Sequence, residues 1–180
     1  MKILLNSLFG ILFVFSALVF NSCKPDKCKN VTCAYSGACE DGLCKCQIGY
    51  EGDHCETIVR DKFKGVYSVT EDGTISGFSQ YAMSIEVGDK INEVRIKNFY
   101  NRYKSEDVIG VCLKDSLFIY PQTMSDGYKI EGSGKIVDTN PLSEHYFQSA
   151  IIDFTYKITD AANLTDEFGT GGSQPSNWSK

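Results

Sequence analysis

The chain has 180 residues, with 18 Lys and Arg against 23 Asp and Glu, a formal charge of −5. That acidic balance excludes nonspecific nucleic-acid binding, because no basic surface is available to replace phosphate counterions. At 42% hydrophobic residues the chain is too apolar for a disordered polymer, and eight Cys are too many for an ordinary cytosolic domain. Lys2 provides a short positive leader, and Leu8 to Phe20 is then apolar apart from Gly10 and Ser16. That run fits the apolar region of a secretory signal and is short for a membrane span, leaving an uncleaved anchor as the alternative.

Asn21-Ser22-Cys23 follows the apolar run directly. A Cys placed there resembles the lipobox of bacterial lipoproteins, in its looser Bacteroidota form, since Phe20 and Asn21 depart from the usual Leu-Ala-type residues. The resemblance implies residues 1–22 as a lipoprotein signal peptide and Cys23 as the lipidated, palmitate-bearing residue. Each buried methylene adds about 0.8 kcal/mol, so two or three acyl chains hold a protein on a membrane. Cleavage before Cys23 removes Lys2 and makes the remainder more acidic, so acyl chains rather than basic residues would make the membrane contact. The competing reading is an ordinary signal peptide that leaves Cys23 as a spare thiol.

Cys28, Cys33, Cys39, Cys44, Cys46 and Cys55 are packed into a short segment. In an exported chain they are expected to be oxidised. Such a segment cannot bury enough core to fold unaided, so disulfides must substitute, each contributing about 2–4 kcal/mol. The spacing alone leaves the pairing open. Cys44-Lys-Cys46-Gln-Ile-Gly-Tyr-Glu-Gly52-Asp-His-Cys55, with its C-x-C, aromatic and Gly-x-x-C features, resembles the EGF-like domain. That resemblance implies an EGF-like module over residues 24–58, bonded Cys28–Cys39, Cys33–Cys44 and Cys46–Cys55. A zinc site would require C-x2-C pairs, which are missing. Asp26 is the lone acid between Cys23 and Cys28, too few oxygens for a calcium-binding variant. No metal and no cofactor are expected.

From about Arg60 the texture becomes short alternating runs punctuated by Gly, Asp, Asn and Ser. Val66 to Thr70 reads as a strand ended by a turn at Glu71-Asp72-Gly73. Tyr81, Met83, Ile85 and Val87 alternate with polar or small residues, as do Val94 and Ile96. Val108 to Leu113, Leu117 to Pro121, Tyr128 to Ile136 and Ala150 to Ile158 supply further strands. About seven or eight strands at hairpin spacing predict an all-β domain over residues 60–168, an antiparallel barrel with a β-sandwich as the alternative. Phe63-Lys64-Gly65-Val66-Tyr67 resembles the opening strand of lipocalin-like barrels. Asn92 to Phe99, Asp115 to Gln122 and Gly132 to Gly134 are similar to barrel domains of small Bacteroidota lipoproteins. Gly132 and Gly134 fit a sharply coiled strand. Residues 169–180 are expected to be a disordered polar tail.

Chemistry is scarce. His54 and His145 are the two histidines, and no metalloprotease, nucleophile-elbow or phosphate-loop pattern occurs; Gly132-Ser-Gly-Lys135 lacks the upstream glycine and following hydroxyl. Cys112, flanked by Val111 and Leu113, reads as a core residue, and Glu71-Asp72 and Glu106-Asp107 read as solvated turn acids. No catalytic residue is assigned. The barrel domain is rich in aromatics, including Phe99, Phe118, Tyr120, Tyr128, Tyr146 and Phe147, for which core is the default role. Tyr100 and Tyr103, in the connection after Asn98, are the candidate exposed ligand contacts. Asp115-Ser116-Leu117 resembles the Bacteroidota O-glycosylation pattern.

The expectation is an exported, lipid-anchored protein of the bacterial cell envelope, at the outer membrane, acting as a noncatalytic binding or display module. Its partners would be the membrane, through the anchor, and a glycan, a protein or a small apolar ligand, with no nucleic acid. The alternatives are a lipocalin-like carrier of a small apolar ligand and, third, an envelope hydrolase whose carboxylates converge in a cleft.

Overall fold

The computed structural model describes residues 26–137 and 150–180. The leader, Cys23, His145, Tyr146 and Phe147 lie outside the described residues. Among the described residues the chain is all-β, without an α-helix.

The N-terminal module is two small antiparallel pairs, β1 (Ala38–Glu40) with β2 (Leu43–Lys45) and β3 (Tyr50–Glu51) with β4 (Thr57–Ile58). Disulfides join Cys28 to Cys39, Cys33 to Cys44 and Cys46 to Cys55. They stand in for a core, because Cys55 is the one fully buried apolar residue between positions 26 and 58. Tyr35 stacks on Tyr50 with ring centroids 4.4 Å apart, while Leu43 and Ile48 stay exposed.

A 3-10 turn, Val59–Lys62, leads into the barrel. Val59 and Phe63 are buried at its near end. Lys62 is also buried, with its ammonium 2.6 Å from Glu51 of the module and 2.6 Å from Asp115 of the barrel. Burial works against that charge, but the hydrogen bonds to Asp115 and Glu51 outweigh it and hold the lysine above its ordinary pKa. One cation therefore ties the two units together. The Phe63–Tyr67 segment forms the barrel's latch: the Tyr67 hydroxyl donates to the Phe63 carbonyl at 2.7 Å.

The barrel strands are β5 (Gly65–Gly73), β6 (Gly77–Val87), β7 (Glu93–Lys97), β8 (Val108–Leu113), β9 (Ser116–Thr123), β10 (Lys129–Val137), β11 (Ile151–Thr159), β12 (Thr165–Phe168) and β13 (Ser176–Ser179). Strands β5 to β11 pair in order, every pair antiparallel. The ring closes through β13, which lies between β11 and β5. Strand β12 shares the β11 edge with β13, one on each half of it, so the two act as one interrupted stave. The result is a closed eight-stave antiparallel barrel, not a sandwich.

Two expectations are corrected here. The turn at Glu71-Asp72-Gly73 is displaced, because β5 runs to Gly73 and pairs with β6 as far as Gly77. Glu71 consequently points inward and is buried, whereas a solvated acid was expected. Residues 169–180 are not a disordered tail. They carry β13, with Ser176 0% and Trp178 1% exposed. A barrel missing its last stave would leave two open edges, and closing them outweighs the polar composition of the segment.

Side chains fill the barrel. Tyr156 stacks on Phe168 at 4.2 Å and Phe154 on Trp178 at 4.3 Å, while Phe99 meets Tyr156 edge-on at 4.9 Å. Gly132 and Gly134 face inward on β10, where a Cβ would collide with Tyr156 and Phe154. Their missing side chains make room for those rings. An eight-stranded barrel can be solid or hollow. This one is packed with aromatic rings.

Candidate functional site

The outer face of β9 departs from regular pairing at one place. Ile130 faces Gln122 across the β9–β10 ladder, yet Gly132 faces Ile119, so Tyr120 and Pro121 together oppose Glu131 alone. This is a β-bulge, and Pro121, which has no N–H to give to a ladder, suits such a position. The bulge lies just past the end of the β8–β9 ladder, which runs no further than Val111 opposite Phe118. The Gln122 amide fills in: it accepts from the Ile109 N–H at 3.0 Å and donates to the Ile109 carbonyl at 2.9 Å. A side chain thus props the opened ladder, keeping buried backbone groups satisfied.

On that strand Leu117 and Ile119 point inward, which turns Phe118 and Tyr120 outward. Their rings lie 15° from parallel with centroids 6.2 Å apart, and Tyr120 is 56% exposed. They flank a groove of about 480 Å³ that crosses β9, β10 and β11 on the outside of the barrel. Glu131 and Ser133 line it from β10, Thr155 and Lys157 from β11. Glu131 and Lys157 form an ion pair at 2.6 Å, and that bond keeps the lysine above its ordinary pKa. The far wall is Thr170, from the loop between β12 and β13.

That loop is held firmly. Gly169, Gly171 and Gly172 take φ of 83°, 59° and 95°, conformations that glycine adopts without steric cost. Gly169 lies against Thr155, leaving no room for a Cβ. The Ser173 hydroxyl accepts from the Gly169 N–H at 3.0 Å and lies 2.8 Å from the Glu167 carbonyl and 2.7 Å from that of Thr170. The segment expected to be a disordered polar tail instead supplies a wall of the groove.

A second cluster occupies one end of the barrel. Glu71 accepts from the Tyr156 hydroxyl at 3.0 Å and the Ser176 hydroxyl at 2.7 Å, and Ser176 accepts in turn from the Trp178 indole at 2.8 Å. Asp166 accepts from the Ile75 and Ser76 amides and from the Tyr100 hydroxyl at 3.0 Å. Burial raises the Glu71 pKa. Burial works the same way on Asp166, but the bonds from Ser76, Ile75 and Tyr100 outweigh it and hold that carboxyl low. Two carboxylates pushed apart in this way resemble an acid and base pair. Glu71 and Asp166 are, however, only 4% and 5% exposed, and their oxygens already hold hydrogen bonds from the protein itself. The neighbouring groove, lined by Asp72 to Thr74 and Gly171 to Ser173, includes neither side chain. The cluster fastens the barrel end.

Tyr100 and Tyr103 are not exposed contacts, which corrects the expectation. Tyr103 is 4% exposed and donates to Asp126 at 3.3 Å, and Tyr100 turns back onto Asp166 and meets Phe168 edge-on. The connection folds inward because Asn98, Tyr100 and Asn101 all adopt positive φ, curling it over the barrel end. Cys112 is fully buried, and burial pushes its thiol up to about 12, although Lys62 and Arg60 pull the other way. Ser116, half-buried, begins β9 beside Asp115, whose carboxylate is engaged by Lys62. Among the described residues, no group of three or more His, Cys, Asp or Glu side chains is placed to hold a metal ion. The outer groove was missed in the sequence, although the alternation of Leu117 and Ile119 with Phe118 and Tyr120 marked two rings for the opposite face.

No family model matches this chain, and neither a curated protein nor a solved structure shows significant similarity to it.

Proposed function

We propose that this chain is an exported, lipid-anchored protein of the bacterial cell envelope that binds or displays without catalysis. Its EGF-like module acts as a rigid spacer, and the outer groove beside the Tyr120-Pro121 bulge is the contact surface. The observation that carries the reading is where the aromatic rings sit. Phe154, Tyr156, Phe168 and Trp178 fill the interior, while Phe118 and Tyr120 stand outside beside a groove. A carrier of an apolar ligand needs a lumen, and here stacked rings occupy it. A hydrolase needs reachable carboxylates, and Glu71 and Asp166 are buried under their own donors. Lys62, bridging Glu51 and Asp115, supports a spacer that moves with the barrel.

The test has two parts. Cys23→Ser in the native cells is expected to move the protein from the membrane to the soluble fraction, and continued membrane retention overturns the lipid anchor. Native mass spectrometry of the detergent-extracted protein is expected to find an acylated barrel with no passenger. A reproducible small-molecule adduct lost on denaturation overturns display in favour of the carrier.

A further inference from the structure

We infer that the groove along β9, β10 and β11 is a glycan-binding site, and that its ligand is an uncharged polysaccharide lying across the outside of the barrel. This rests on the binding reading above and names the ligand class for it. The aromatic pair sets the chemistry. Phe118 and Tyr120 lie on the outer side of β9 with their rings nearly parallel, so aromatic carbon lines the groove for contact with the C–H faces of sugar rings. A purely apolar ligand would want enclosure on most sides. This groove is open, and Ser133, Thr155 and Thr170 place hydroxyls beside the rings. Sugar rings match that mixture, since each pairs an apolar face with a rim of hydroxyls.

Charge points to a neutral chain. Glu131 and Lys157 are the two charged residues lining the groove, and at 2.6 Å they cancel one another. An anionic or cationic polymer would find no unpaired charge among the residues that line the groove. Both groups keep atoms free to bond hydroxyls, because a carboxylate has two oxygens and an ammonium three hydrogens. A peptide added as an extra strand is disfavoured as well, since β10, at the centre of the groove, is already paired with β9 on one side and β11 on the other.

The platform is also built rather than incidental. The Tyr120-Pro121 bulge turns both residues outward, Gln122 repairs the ladder that the bulge opens, and a glycine-shaped loop brings Thr170 to the opposite side. Bulges of this kind are over-represented beside functional sites, where they re-aim side chains.

The test is affinity electrophoresis of the full chain in nondenaturing gels carrying soluble neutral polysaccharides, namely β-glucan, xylan, mannan and α-glucan, with polygalacturonate as the charged control. At least one neutral polymer is expected to retard the protein. Tyr120→Ala and Phe118→Ala should each weaken that retardation about tenfold. Phe78→Ala, which removes an aromatic that is 71% exposed on the β5–β6 hairpin, should leave it unchanged. Thermal melting of each variant separates lost binding from lost fold. Retardation by none of the neutral polymers, retardation indifferent to Tyr120→Ala, or retardation by polygalacturonate alone overturns the assignment. The display reading fails separately, through a passenger in the native mass spectrum, and that result leaves the electrophoresis outcome standing.

Discussion

Trp178→Ala tests whether the segment from Gly169 onward is a stave of the barrel. Trp178 is 1% exposed, stacks on Phe154 at 4.3 Å and donates its indole N–H to Ser176 at 2.8 Å. An aromatic of this size buries about 150–250 Å². At about 25 cal/mol per Å² that is about 4–6 kcal/mol, an upper figure because an unfolded chain already hides some surface. Measured Trp→Ala costs in cores run at about 3–5 kcal/mol. Taking about 4 kcal/mol against a total of about 5–15 kcal/mol, the variant should lie near the edge of folding, with a Tm lowered by about 10–20 °C. Far-UV circular dichroism is the suitable assay, because the substitution removes the chain's one Trp. Trp178→Phe keeps a ring against Phe154 and loses the indole bond, so its cost should be about 1–2 kcal/mol. An alanine variant melting within about 3 °C of the parent would refute the reasoning, since a disordered tail contributes nothing.

Other substitutions probe the remaining interactions. Lys62→Met should cost about 1–3 kcal/mol, less than a fully buried pair because Glu51 and Asp115 can rehydrate, and should speed proteolysis at the Val59–Lys62 turn. In the parent, the raised Lys62 pKa means its stabilisation is complete below the ordinary lysine value of 10.5 and fades as pH rises through the folded-state value, which alkaline denaturation will read. Glu71→Gln probes a linkage of the same sign in a lower pH window. The folded protein holds the Glu71 proton more tightly than the unfolded chain, so the parent loses stability as pH rises from the ordinary carboxylate range through the raised value. The variant should therefore match or exceed the parent in urea denaturation at pH 8, with any gain shrinking toward pH 4; a gain that grows on acidification contradicts the assignment. Cys112 should resist thiol reagents at pH 8 in the native protein and react once on denaturation without reductant. A second reactive thiol would locate a non-acylated Cys23.

The barrel was legible wherever burial writes an alternating code. Met83 and Ile85 of β6, Ile130 and Ile136 of β10, and Ile152, Phe154, Tyr156 and Ile158 of β11 follow that alternation and are buried in the interior. Strand β13 is invisible to that rule. Its inward residues are Ser176 and Trp178, and Ser176 can be buried because Glu71, on a strand about 105 positions earlier, accepts a hydrogen bond from its hydroxyl. Glu71 was misjudged for the same reason, since an inward acid is intelligible only once Tyr156 and Ser176 are beside it. The groove was half legible. Phe118 and Tyr120 could be assigned to the outer face of β9, but Lys157 and Thr170 reach them only through the ladders that join β9, β10 and β11. Tyr100 and Tyr103 misled because a polar connection normally lies in solvent. Positive φ at Asn98, Tyr100 and Asn101 curls this one back onto two carboxylates.

The stave that closes the ring comes last of the eight in chain order, and it fits between the first and the seventh. A chain delivered N-terminus first across a membrane therefore exposes two long unpaired edges, along β5 and β11, until β13 follows. During that interval each edge can recruit a strand from another molecule, which makes the delay itself a hazard. Joining residues as distant as Val69 and Trp178 is also slow, because such a loop is costly to close before any contact rewards it. The three disulfides do not shorten the wait, since they crosslink only the segment that has already emerged. If the chain is exported as proposed, its safe passage depends on how long the seventh strand stays unpaired.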